Sequence, residues 1–257
     1  MATQYWNLTR RFLRQELEGR FRGNLAGAAW ALIGPLLQLA VFFVVFVHIF
    51  KARIPGMEGV DYLAFLALGF WPWFAFSEAV TRATTVIRDN AGLIGKVSLP
   101  RSVLVVARVL GVFILHGVGF AFVLTLLPLV GVNVSLSGIP IVVLLWLPLL
   151  ILAMGMAFLS GSLQVFVRDF EQVVAYLLQI GFFLTPILFS RDMVPGPLRI
   201  AVDLNPMTGI VQATRDAYLG GSTNFAQVAA SVGLSLLFLI AGYVVFRRCD
   251  RYFEDYL

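Results

Sequence analysis

The chain has 257 residues, 60% of them hydrophobic and 13% charged, with a mean hydropathy of +0.88. Its apolar residues come in blocks such as Ala28 to Phe50 and Ile139 to Val167, each long enough for a bilayer that needs about 20 apolar residues per helix. That excludes a soluble globular domain, and the continuous runs exclude a barrel, whose strands alternate in polarity. Backbone in lipid must satisfy its own hydrogen bonds, so the spans are helices, and the length suits a single membrane domain over residues 1–257. The net charge is +5, but the basic residues flank the spans as topology signals do, so no nucleic-acid partner is expected. The single Cys249 excludes an internal disulfide and a cysteine metal cluster. The first residues are charged and lack the short apolar core of a cleavable signal peptide.

Residues 4–24 carry Arg10, Arg11, Arg14, Arg20 and Arg22. At helical spacing Trp6, Leu13, Leu17 and Phe21 share one side, while Arg11, Glu18 and Arg22 share another with Arg14 at its border. This predicts an amphipathic helix lying in the membrane interface, supported by Arg14–Glu18 and Glu18–Arg22 pairs one turn apart. Six spans follow at 28–50, 62–86, 102–130, 139–166, 171–190 and 225–246. With both termini inside, the five arginines above join Arg88, Lys96, Arg101, Arg168, Arg247, Arg248 and Arg251 on the inner face. Lys51, Arg53, Arg191, Arg199 and Arg215 fall outside, so the bias favours N-in, C-in. Arg82 and Arg108 lie within spans near the inner face, where long side chains snorkel.

Three connections are not simple loops. In the inner segment Ile87–Ser102, Asn90 is placed to cap a short helix that Pro100 ends. Its apolar Leu93, Ile94, Val97 and Leu99 need a partner protein or the membrane surface to cover them. The inner turn Val167–Glu171 is short and charged, with Arg168 and Asp169 read as a structural pair. Between the fifth and sixth spans, Thr185–Gly221 is apolar but broken by Pro186, Pro195, Pro197 and Pro206. Asn205-Pro206 starts a helix, Met207, Ile210, Val211, Thr214 and Tyr218 form its stripe, and Gly220-Gly221 ends it. So few residues cannot cross the bilayer twice, which predicts a re-entrant pair of helices over 191–221, entering from outside.

No phosphate-cradling loop, HExxH, CxxC or GxSxG is present, so neither catalytic nor metal-ligating residues are expected. His48 and His116 are isolated and read as packing residues. Glu78 and Arg82 stand one turn apart in the second span and read as a structural ion pair. A membrane transferase would need converging acids, which Asp89, Asp169 and Glu171 do not form, and a secondary transporter would show internal repeats. The aromatics leave two readings open. Phe70, Trp71, Trp73 and Phe74, with Trp30, Phe42, Phe43 and Phe46 on the first span and Phe182, Phe183 and Phe189 on the fifth, form an interfacial belt, or else line a passage where sugar faces stack.

An arginine-rich helix leads into Leu25-Ala26-Gly27-Ala28-Ala29-Trp30, Pro35 sits in the first span, and Gly69-Phe70-Trp71-Pro72-Trp73-Phe74 opens the second. Asn90 to Arg101 closes on Leu-Pro-Arg, Arg168-Asp169 precedes the fifth span, and Phe183-Leu184-Thr185-Pro186-Ile187 and Asn205-Pro206 follow. In order and spacing, from about Arg11 to Phe246, this resembles the membrane subunits of ABC exporters for bacterial surface polysaccharides, namely O-antigen, capsule and teichoic acid. Such subunits usually carry Leu-Gly after the first helix, and here Ala26 intervenes.

The resemblance implies an all-α homodimeric permease of the bacterial inner membrane, working with two copies of a separate ATPase subunit. ATP and Mg would bind that partner, and this chain would hold no cofactor and catalyse nothing. The implied cargo is a lipid-linked surface polysaccharide of O-antigen type moved from cytoplasm to periplasm, with capsule, teichoic acid, a small lipid or a drug as the alternative. By resemblance, loop 87–101 couples to the ATPase through Asn90, Leu93, Ile94, Lys96 and Arg101. Trp30, Phe42, Phe70, Trp71, Trp73, Phe74, Phe182, Phe183 and Phe189 are the residues expected to face the channel. Arg11, Arg14 and Arg88 either attract a diphosphate head group or fix topology and bind anionic membrane lipids.

Overall fold

A computed structural model of the chain describes residues 2–21, 27–49, 60–96 and 99–257, without the side chains of 2, 3, 21, 27–32, 47, 48 and 60. Among the described residues there are helices and no strands. In chain order the helices are α1 (Ala2–Phe21), α2 (Gly27–Phe43, continued by a π-helical run Val44–Ile49), α3 (Val60–Thr84), α4 (Val86–Asp89) and α5 (Ala91–Ile94). They continue with α6 (Ser102–Leu129), α7 (Ile139–Phe166), α8 (Phe170–Leu184), α9 (Gly196–Asp203), α10 (Pro206–Leu219), α11 (Phe225–Cys249) and α12 (Phe253–Tyr256).

Asp61–Thr84, Ser102–Leu129, Leu136–Phe166 and Phe225–Tyr256 are long and apolar enough to cross a membrane. Ile33–Phe46 and Phe170–Leu184 are apolar but shorter. The fifth expected span stops early, at Leu184 rather than near 190, because Pro186 removes a donor and forces Thr185 into extended backbone. The freed groups are reused: Thr185 donates to the Gly181 carbonyl at 2.8 Å and accepts from the Asn205 amide at 2.8 Å. Asn205 also accepts from the Met207 N–H at 2.9 Å, the cap expected at the start of α10. Gly220, with φ of 78°, ends that helix in the left-handed conformation.

Of the apolar stretch of α3, 78% is buried within the chain, against 17% for α11, so α3 is central and α11 faces outward. Helices α7 and α11 approach until their backbones touch. A Cβ on Gly242 would strike the Gly155 carbonyl, and one on Gly155 would strike the Phe238 backbone. Helix α10 packs into the same core, with Met207, Ile210, Val211, Thr214 and Tyr218 all buried as their spacing required.

Helix α1 packs on α6 through residues outside its apolar stripe as well as within it. Tyr5, Leu13 and Glu16 reach α6, a line that mixes polar residues with a member of the apolar stripe. The Tyr5 hydroxyl donates to Ser102 at 3.2 Å, Thr9 is buried, and Trp6 is 58% exposed. Arg11 and Arg14 stay exposed and Leu13 and Leu17 are half-buried, while Glu16 and Arg20 turn into the protein, where Glu78, Arg82 and Arg108 of α3 and α6 receive them.

Candidate functional site

Glu16 sits between three arginines. Arg82 of α3 lies 2.9 Å away, Arg108 of α6 3.2 Å and Arg20 of its own helix 3.6 Å. Arg20 also reaches Glu78 at 2.9 Å, His116 meets the other Glu78 oxygen at 2.8 Å, and Arg108 reaches Asp89 at 3.5 Å. The expected Glu78–Arg82 pair exists, at 3.9 Å, as the weakest edge of this knot. Three carboxylates face three arginines, so the cluster is neutral before His116 is counted. Glu16, Arg20 and Arg108 are the enclosed members, and charges so placed persist only when paired. Sequence reasoning missed Glu16, Arg20, Arg108 and His116 as members. The available signal was their position: ionisable groups inside or beside spans seek one another.

Above the knot the aromatics of three helices meet. Ring centroids of Phe42 and Phe70 lie 4.9 Å apart, Phe70 and Phe182 5.4 Å, Phe70 and Phe74 5.5 Å, and Trp73 and Phe182 5.9 Å. Phe183 joins through Phe182 at 5.3 Å. An open groove of about 310 Å³ runs along Phe42, Trp73, Phe74, Phe182 and Phe183 with Gln38 and Gln179. A second, of about 410 Å³, runs from Gln38 and Phe74 to Ser77, Glu78, Thr81, Arg82 and His116. The two adjoin at Gln38 and Phe74, between the aromatic cluster and the knot.

Other expected channel residues lie elsewhere. Trp71 is fully buried on the far side of α3, where its indole N–H donates to the His116 carbonyl at 2.9 Å. In this arrangement it is a packing residue. Phe70 is also fully enclosed and supports the groove from behind, and Phe189 is half-buried outside it. The Trp30 side chain lies outside the described residues.

The inner segment folds as α4 and α5. Asn90 does not cap α5 with its side chain; it donates back to the Val86 carbonyl at 2.7 Å. Ile94 is buried in the chain's own core, Leu93 is half-buried, Lys96 is exposed, and Val97 lies outside the described residues. Arg101 is occupied within the chain, donating to the Asp250 carbonyl, to its carboxylate at 3.1 Å, and to Glu254. That clasp holds α12, whose Phe253 is buried against Phe166 and Phe246.

Arg11 is exposed and Arg88 half-buried, neither with an ion-pair partner among the described residues, while Arg14 pairs with Glu18 at 2.6 Å. Arg168 and Asp169 are both exposed, and no ion pair joins them among the described residues. Consecutive residues point apart, so the expected pair does not form.

On α10, Arg215 is fully buried. Its guanidinium donates to the carbonyls of Phe65 at 3.0 Å, Pro186 at 2.5 Å and Ile187 at 2.8 Å, and lies 3.4 Å from the Phe65 ring centroid. The sequence counted it among the outer charges; in the structure it is spent inside the protein on backbone carbonyls. Arg191 grips Asp203 with two hydrogen bonds, at 2.5 and 2.6 Å, closing the loop onto α9. These bonds hold the Asp203 carboxyl below its usual 3.8.

The family model of the ABC-2 type transporter matches residues 3–219, a stretch that contains the knot, the groove and the Arg215 clamp. The chain belongs to the ABC-2 type transporter family. It is a multi-pass membrane protein of that family. The chain is 25% identical over 247 residues to an O-antigen export system permease protein RfbA of Klebsiella pneumoniae, covering 95% of this chain and 92% of that one. A permease of the same name from Myxococcus xanthus is 27% identical over 216 residues, 81% of this chain and 78% of its own length. The polysialic acid transport protein KpsM of Escherichia coli is 24% identical over 210 residues, 82% of this chain and 80% of the relative.

Proposed function

We propose that this ABC-2 chain is the transmembrane subunit of an exporter that moves lipid-linked surface polysaccharide of O-antigen type from cytoplasm to periplasm. In this reading six helices cross the bacterial inner membrane with both termini inside, and α9 and α10 re-enter from the outer face. Two copies form the path, and two copies of a separate ATPase bind ATP and Mg and do the hydrolysis. The chain itself binds no cofactor and is not an enzyme.

The carrying observation is the meeting of aromatic side chains from α2, α3 and α8 beside an open groove with a polar inner end. Aromatic faces take the C–H faces of successive sugars weakly and repeatedly, so a polymer slides without sticking. The names of the relatives support the same cargo, and the likeness to KpsM keeps a capsule-type polymer as the second reading. ATPase closure would reach the helices through residues 87–101, with Leu93 and Lys96 left to meet the partner.

The test is deletion of the gene, followed by cell fractionation and immunoblot of surface polysaccharide. Loss from the surface with lipid-linked polymer retained inside is expected. Unchanged surface polysaccharide refutes the cargo.

A further inference from the structure

We propose that Gln38 and Gln179 form a second layer of the path, which hydrogen-bonds the hydroxyls of the sugars whose faces the aromatic layer stacks. This rests on the polysaccharide reading and adds residues that decide which glycan fits.

The argument is positional. Gln38 stands one turn before Phe42 on α2, and Gln179 one turn before Phe183 on α8. Residues four apart share a helix face. On α3 the order is reversed: Phe74 comes first and Glu78 follows one turn later. The contacts fix the relative directions. Phe42 meets Phe70 while Gln38 lies by Phe74, so α2 runs against α3. Phe182 meets Phe70, while Leu177 and Val174 lie by Phe76 and Val80, so α8 also runs against α3. All three helices therefore put their polar groups on the same side of the rings gathered at Phe70, with Gln38 and Gln179 level with Trp73 and Phe74 and Glu78 one turn beyond.

The two carboxamides are the uncommitted members of that layer. Glu78 is held by Arg20 and His116, whereas Gln38 and Gln179 are exposed and have no hydrogen-bond partner among the described residues. A free carboxamide facing hydrocarbon is costly, and polar groups on spans face polar cavities instead. The cavity of about 340 Å³ on the other side of Trp73 provides the contrast. Its one amide, Asn205, is already committed to Met207 and Thr185. The groove is thus the place where unspent donors and acceptors lie beside ring faces. A carboxamide both donates and accepts, which matches a sugar hydroxyl.

The experiment uses the whole exporter in cells that make its polysaccharide. A photo-crosslinking residue is placed at 38, 179, 74 or 182, and at the outward Leu237 of α11 as control. Adducts are read with a carbohydrate stain and the immunoblot. A glycan ladder on the chain from 38 and 179, and none from 237, is the expected result. In parallel, Gln38→Met with Gln179→Met lowers export about tenfold at equal membrane abundance, the loss expected for hydrogen bonds removed without a shape change. Gln38→Asn alone keeps most of it. Glycan capture at 74 or 182 but not at 38 or 179 overturns the proposal and leaves the polysaccharide reading standing. Capture of only a second copy of the chain at 38 and 179 overturns it in favour of a helix–helix contact. Unchanged surface polysaccharide on gene deletion overturns both.

Discussion

Two arginine-rich regions hold this bundle together by opposite means. In the knot, Arg20, Arg82 and Arg108 share Glu16, Glu78 and Asp89, so each cation has more than one carboxylate within reach. On α10, Arg215 has no carboxylate within ion-pair distance among the described residues and is held by three backbone carbonyls and the face of Phe65. Helix ends leave carbonyls without intrahelical partners, and the break at Pro186 supplies two of them at a fixed point. Side-chain carboxylates on three separate helices can trade partners when those helices slide. Backbone carbonyls at a helix break cannot. The difference leaves the knot able to rearrange and the Arg215 clamp fixed.

The comparison breaks most visibly at Arg215. Arg215→Met strands the buried Pro186 and Ile187 carbonyls and is expected to cost about 3–5 kcal/mol, read as lost thermal stability of the detergent-purified complex. Arg215→Lys recovers little, because one ammonium cannot reproduce the planar fork. Full recovery by lysine would show that charge alone matters there. Glu16→Gln comes next, at about 2–3 kcal/mol, since Arg82 and Arg108 retain Glu78 and Asp89. Hydrogen exchange should rise in α1 and leave α10 unchanged. A loss equal to that at Arg215 would show that the knot does not exchange partners.

Arg101→Glu should free the C-terminal segment at about 1 kcal/mol, because Glu254 is largely exposed. Faster exchange over residues 250–257, reversed by Glu254→Arg with Asp250→Arg, is the expected readout. The smallest effect is at Arg191–Asp203. The Asp203 carboxyl is held below its usual 3.8, so the pair's contribution is complete above that pH and is lost as pH falls through the lowered value. The pH dependence of thermal unfolding should flatten below pH 3.8 in Asp203→Asn. An unchanged acid limb would show that the pair contributes nothing.

The sequence by itself determined the helical membrane class, the positions of the long apolar helices, the Asn205 cap, the Gly220 stop and the aromatic inventory. Those properties depend on length, hydropathy and local backbone chemistry, which neighbouring residues carry. It did not determine which face of α1 is buried. The pattern shows an apolar side and a charged side, but Glu16 and Arg20 find partners from residues 78, 82 and 108, and only packing brings those together. For the same reason Trp71 and Phe42, equal as aromatics in the sequence, part ways: one turns into the core against His116, the other borders the groove. Arg215 looked like an outer charge because sequence distance hides the carbonyls of residues 65, 186 and 187. Tertiary structure decided these matters, since the energy of a polar group in a bilayer depends on which partner reaches it, and that partner is usually far away in the chain.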